Sequence, residues 1–108
     1  QARRYIEMAV KKSPHNGFYI DSLGWLYFKM GDYDRSILLL ERATQFEPTD
    51  PVIADHLGDV LWYAKRQTEA RYQWRKALAF DPDDDLRQQI EKKIIHGPLP
   101  PKLGGMDI

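Results

Sequence analysis

The sequence predicts an all-α fold: an array of helical hairpins, an α-solenoid, with a C-terminal capping helix. Three observations predict it. The first is a repeat. Gly24 and Gly58 stand 34 residues apart, and the same offset pairs Asp21 with Asp55, Leu23 with Leu57, Ala43 with Ala77, Phe46 with Phe80, Pro48 with Pro82 and Asp50 with Asp84. The second is that each copy holds two apolar runs at helical spacing, separated by a short polar turn, so the unit is a hairpin of helices. The third is punctuation. Glu47-Pro48-Thr49-Asp50-Pro51 and Asp81-Pro82-Asp83-Asp84 close the two copies with prolines that cannot continue a helix. One such hairpin cannot bury its apolar face alone and must stack on its neighbours.

Residues 1–14 are expected to be the second helix of a preceding unit. One period before Ala43, Thr44 and Pro48 lie Ala9, Val10 and Pro14, and Ala2, Ile6, Ala9 and Val10 share one helical face. With the first helix of that unit missing and no initiating Met, the chain is expected to be cut from a longer protein. Tyr5 and Met8 are then left without the neighbour they would have there.

Residues 17–50 make the first full repeat, with a helix from Phe18 to Met30, a turn at Gly31-Asp32 and a second helix from about Tyr33 to Phe46. Gly24 inside the first helix costs about 1 kcal/mol relative to alanine, so its presence implies close packing. Gly24 and Gly58 are expected to let the second helix of each repeat approach, with Ala43 and Ala77 as the small contacts. Ile37-Leu38-Leu39-Leu40 is more apolar surface than one helical face buries. Arg71 and Gln73 stand opposite Ile37 and Leu39 one period on, which marks those two as the outward pair; the alternative is a wider core stripe. Residues 51–84 make the second repeat, opened by Asp50 as helix cap and Pro51 at the first helical position. Its turn carries Lys65 where the first repeat has Gly31. Asp84 is the expected cap of a last helix over 85–96, whose Leu86, Ile90, Ile94 and Ile95 would face the preceding repeat while Arg87, Gln88, Glu91, Lys92 and Lys93 face water. Residues 97–108, Pro-rich then Gly-rich, have no period and read as a flexible tail.

Composition narrows the function classes. The chain has 108 residues, 43% of them hydrophobic, and 16 Lys+Arg against 16 Asp+Glu. With no net charge, nothing global draws it onto nucleic acid or an anionic membrane, and Arg66, Arg71, Arg75 and Lys76 make only a partial basic stripe. No apolar run approaches the roughly 18 residues of a membrane span. With no cysteine there is neither disulfide nor thiol chemistry, and the compartment stays open.

The repeat pattern resembles that of the tetratricopeptide (TPR) family. In the first copy it reads Ile20-x-x-Leu23-Gly24-x-x-Tyr27, then Tyr33, Ser36, Leu40, Ala43 and Pro48. In the second it reads Ala54-x-x-Leu57-Gly58-x-x-Leu61, then Ala70, Trp74, Ala77 and Pro82. The paired Asp-x-Leu-Gly helices and the Gly-Pro ending resemble the C-terminal part of bacterial TPR proteins. The resemblance implies a superhelical array whose first helices line a concave groove that takes a peptide or partner protein.

No enzyme motif is present: no phosphate loop, no nucleophile elbow, no His-Glu-x-x-His. Asp55, His56 and Asp59 are the one set with metal-ligand spacing, but an Asp59–His56 hydrogen bond on a solvated acidic face is the preferred reading, and neither metal nor cofactor is assigned. Ser22, His56 and Asp55 imitate a catalytic set in name only, since adjacent side chains on a helix diverge. The groove is the better candidate. Its expected peptide-binding residues are Asp21, Trp25, Phe28 and Lys29 from the first repeat, and Asp55, His56, Asp59, Trp62 and Tyr63 from the second, with Ser22, Gln89 and Lys93 nearby. Core packing between repeats is the alternative for Phe28 and Trp62. Chaperone-binding TPR members grip a carboxylate tail with Lys, Asn and Arg, and Asp21 and Trp25 stand where that clamp would begin, so an acidic tail is disfavoured. A basic and apolar peptide is expected instead. The alternative role is assembly, with homo-oligomers joined through the N-terminal helix.

Overall fold

The structure, a computed structural model, describes residues 2–99. Among them are six helices and no strand: α1 (Ala2–Lys12), α2 (Gly17–Lys29), α3 (Tyr33–Phe46), α4 (Pro51–Tyr63), α5 (Gln67–Ala79) and α6 (Asp84–His96). The fold is an all-α array of helical hairpins. α2 pairs with α3 and α4 with α5, each helix packs on the next in sequence, and α2 also touches α4 directly. No helix of the described residues is long and apolar enough to cross a membrane.

Local chemistry sets the helix starts. Asn16 accepts from the backbone N–H groups of Phe18 and Tyr19, and Asp50 from those of Val52 and Ile53, so the first donors of α2 and α4 are satisfied by side chains. At α6 the cap is Asp83, whose carboxylate accepts from Leu86 N–H; it is not Asp84, the residue one period after Asp50. Pro51 forces the residue before it to be extended and so pins Asp50 as cap. Asp85 exerts no such constraint, and the start of α6 shifts by one residue. The turn after α4 keeps its shape without glycine: Lys65 takes φ 68°, beside 82° for Gly31 in the first repeat.

The two hairpins solve their close approach differently. A methyl group on Gly24 would lie 2.9 Å from Leu40 Cγ and 3.3 Å from Leu39 Cβ, whereas one on Gly58 would lie 2.5 Å from Trp74 Cδ1. The glycines therefore do make room, but for Leu40 and Trp74 and not for Ala43 and Ala77. Each interface adds one buried hydrogen bond. Ser36 Oγ donates to Gly24 C=O at 2.7 Å, and Trp74 Nε1 donates to Asp55 C=O at 3.3 Å. Lys92, one more period beyond Gly58, is exposed.

The main core runs from Phe28, Ile37 and Leu40 through Leu57, Val60 and Leu61 to Trp74 and Ile90, and a smaller cluster holds Ile20, Ala43 and Ile53 with Val10 and Phe46 against it. Two apolar expectations are corrected. Leu38 is the outward residue of its run at 68% exposed, while Ile37 is buried and Leu39 half-buried. The polar residues used to judge the face mislead, because Arg71 and Gln73 are themselves half-buried and Tyr72, opposite Leu38, is the exposed one. Ile95 is exposed at 69%; Leu86, Ile90 and Ile94 suffice for the inward stripe of α6. On α1, Ile6, Ala9 and Val10 turn inward and Ala2 does not, while Tyr5 and Met8 are exposed.

Of the tail, residues 97–99 are described; Gly97 and Pro98 are half-buried and Leu99 is exposed. Gly97, at φ 78°, passes so close to Trp62 that a methyl there would lie 2.8 Å from Cε2, and Tyr63 Oη donates to Leu99 C=O at 2.7 Å. Residues 100–108, which complete the expected flexible tail, lie outside the described residues.

Candidate functional site

The first helices α2, α4 and α6 present their polar residues at matching register. Asp21 and Asp55 are one period apart, and Gln89 follows; Trp25, Asp59 and Lys93 form a second row. Where these helices stand side by side, the rows meet as acid–base pairs between neighbours. His56 Nδ1 lies 2.8 Å from Asp21 Oδ1, and because a carboxylate only accepts, that nitrogen carries the proton. Lys93 Nζ donates to Asp55 Oδ1 at 2.9 Å and to Asp59 Oδ2 at 3.2 Å. The expected Asp59–His56 hydrogen bond is therefore not the one formed. His56 reaches across to α2, Asp59 to α6, and Lys93 faces the two carboxylates in place of water.

The electrostatics follow from burial. Asp21, Asp55 and Asp59 are each less than 9% exposed. Burial disfavours the charged form of His56, but the Asp21 hydrogen bond and the carboxylates of Asp21, Asp55 and Asp59 outweigh it and raise the pKa above 6.5. Burial likewise opposes the charge of Lys93, and Asp59 and Asp55 again win, holding it above its ordinary value. Asp59 is pushed up to about 6 by burial first and by Asp55 second, against the pull of Lys93. Its Oδ1 lies 3.1 Å from Lys93 Nζ but receives no hydrogen bond and is shut from solvent.

Trp25 stacks on His56, with ring centroids 4.3 Å apart and planes 26° from parallel. Its half-buried ring borders a cleft of about 260 Å³ with Asp21, Ser22, Lys29 and His56, walled by Ile6 of α1 and Leu26 of α2. Of the expected groove residues, Asp21, Trp25, Lys29 and His56 come together here. Asp55 and Asp59 lie behind them toward α6. Phe28 does not face the cleft: it is 4% exposed and packs on Trp25, Tyr33 and Tyr63 at centroid distances of 4.8, 5.7 and 5.7 Å. Trp62 points to the other side of α4. It packs on Trp74, holds the Arg71 guanidinium 5.0 Å above its ring, and supports Gly97. Tyr63 is half-buried and spends its hydroxyl on Leu99.

Sequence reasoning missed Lys93 as the counter-ion of two carboxylates. The signal was available, since Asp59 and Lys93 share a register one period apart. It also missed Ile6 and Leu26 as cleft walls. Ser22 Oγ donates to Phe18 C=O in its own helix at 3.1 Å. The donors and acceptors of this face are arranged in pairs between helices. No protein-family model and no curated protein matches this chain.

Proposed function

We propose that this chain is a non-catalytic TPR-type interaction module that holds an extended segment of a partner protein on its α2–α4–α6 face. The reading rests on the half-buried Trp25 ring, fixed on His56 at the mouth of the cleft that α1, α2 and α4 form together. A rigid aromatic surface supplies apolar contact at little entropic cost, which suits a peptide side chain laid across it. The charge balance tempers the affinity. Three buried carboxylates already face His56 and Lys93, so the face carries a small excess of negative charge in place of an open acidic field. Binding is then weak and only mildly salt-dependent.

A peptide-array screen followed by calorimetry on the best ligands tests this reading. Trp25→Ala should weaken them by about 1–3 kcal/mol while leaving the fold intact. Ligands indifferent to Trp25→Ala, or an array without enrichment, would sink the proposal. The exposure of Tyr5 and Met8 on α1 favours a second reading, assembly between copies. Light scattering that finds a monomer at high concentration would remove it.

A further inference from the structure

The pairing between helices leaves one polar contact of the Trp25 cleft open. His56 is held on two sides. Its Nδ1 donates to Asp21 Oδ1 at 2.8 Å, and a face of the ring lies on Trp25 at a centroid distance of 4.3 Å. The first contact sets the rotation of the ring and the second sets its plane. The side chain is still 24% exposed and lines the cleft. Nε2 is neither hydrogen-bonded to a described residue nor shut from solvent. The part of the ring left to the cleft is therefore the edge that carries Nε2, beside the apolar walls of Trp25, Leu26 and Ile6.

A proton changes that edge and nothing else. Nδ1 keeps its hydrogen for Asp21 whether the ring is charged or neutral, so the two states differ at Nε2 alone. In the charged ring Nε2–H is a charge-assisted donor. In the neutral ring Nε2 is a bare lone pair, which repels an acceptor. The charges around it are Asp21 and Lys29 from α2, Asp55 and Asp59 from α4 itself, and Lys93 from α6 behind them. To the cleft α1 contributes Ile6, and α3 and α5 contribute no residue. Asp21 matches the charge of the ring, while Asp55 and Asp59 share the single ammonium of Lys93, which leaves a negative excess. Lys29 is exposed, so solvent screens it more than it screens the buried carboxylates. An anion would be set against Asp21 and that excess; a neutral carbonyl meets the donor without the repulsion. The same carboxylates keep the ring charged to a pH above the ordinary 6.5.

We infer that His56 is the cleft's proton-dependent hydrogen-bond donor: charged, it holds an amide carbonyl of the bound segment on Nε2, and neutral, it releases it. This rests on the proposed binding of an extended segment, whose backbone supplies a carbonyl beside the side chain laid on Trp25. Affinity then falls as pH rises through the folded pKa of His56, by up to about tenfold per pH unit, the limit for one linked proton.

Nuclear magnetic resonance titration of the ring tests this without any knowledge of the partner. The probe is N-acetyl-leucine methylamide, which offers amide carbonyls and an apolar side chain; N-acetyl-leucinate is the anionic comparison. With saturating probe the His56 ring protons should titrate about half a unit higher or more, which is about threefold tighter binding to the charged ring. His15 and His96, outside the cleft, should keep their values. Shifts of the Trp25 indole N–H should saturate at lower probe concentration at about pH 5 than at about pH 8. His56→Gln keeps a donor for Asp21 but takes up no proton, and should abolish that difference. The ring titration itself needs no variant. No saturable shift, an unmoved His56 pKa or tighter binding of the anion would each overturn the assignment. So would a pH dependence that survives His56→Gln, which would belong to Asp59. Array ligands that need Trp25 but bind equally at both pH values would sink the donor and leave the binding face standing. Ligands indifferent to Trp25, with the His56 shift intact, would do the reverse.

Discussion

Gly58→Ala is expected to destabilise the protein well beyond Gly24→Ala, although both glycines hold the same register. The added methyl at position 58 would lie 2.5 Å from Trp74 Cδ1 and 2.9 Å from Cε2, inside the indole; at position 24 the nearest atom is Leu40 Cγ at 2.9 Å. Trp74 is fully buried and its N–H is spent on Asp55 C=O, so it cannot turn aside without losing that bond and opening the core. Leu40 needs to yield only by tenths of an ångström. Alanine recovers about 1 kcal/mol of helix propensity at either site. Against this stand overpacking of about 1–3 kcal/mol and, at position 58 alone, a lost hydrogen bond of about 1 kcal/mol. With Gly24→Ala at the low end of the overpacking range, about 1–2 kcal/mol, the net is about 1–3 kcal/mol for Gly58→Ala and about 0–1 kcal/mol for Gly24→Ala. At about 4–8 °C per kcal/mol, the first should lower Tm by roughly 4–24 °C and the second by at most about 8 °C. Circular dichroism melts read both. A double-mutant cycle of Gly58→Ala with Trp74→Leu should then recover about 1 kcal/mol, because leucine is the partner that this register accepts in the first hairpin. Equal melting of the two alanine variants, or strict additivity in the cycle, would refute the packing argument.

The His56–Asp21 pair couples α2 to α4 through a proton. The folded pKa of His56 lies above the ordinary 6.5, so its stabilisation is fully present below that pH and is lost as pH rises through the folded value. Asp21→Asn should lower the His56 pKa, followed by its ring-proton resonances, and cost about 1–3 kcal/mol below neutrality; an unmoved pKa would contradict the assigned pairing. Lys65 stands at φ 68° in a turn where the first repeat uses Gly31. Lys65→Gly relieves about 1–2 kcal/mol of left-handed strain and gives back about 0.5–1 kcal/mol of backbone entropy, so a rise in Tm of a few degrees is expected from thermal unfolding.

What the sequence by itself determined is whatever is local or repeated. The start of α4 follows from Asp50 and Pro51 because a cap acts over three residues; the same reading put the cap of α6 at Asp84, one residue late, where no proline pins it. The hairpin unit follows from the Gly24 and Gly58 offset because copies of one motif meet the same packing problem. The face that bears Asp21, Trp25, Asp55 and His56 was legible for the same reason, since helical spacing puts them on one side. The tertiary structure alone decided the rest. It turned Leu38 outward and Ile37 inward, because the side of α3 that counts is the one α2 and α4 cover, and four apolar residues in a row carry no phase. It withdrew Phe28 and Trp62 into packing, because an aromatic ring is equally at home in a core or a groove until its neighbours are placed. It joined Lys93 to Asp55 and Asp59, and His56 to Asp21, because a charge pair is chosen by the distance between helices and the water excluded there, and neither quantity is written in the spacing of residues along one helix.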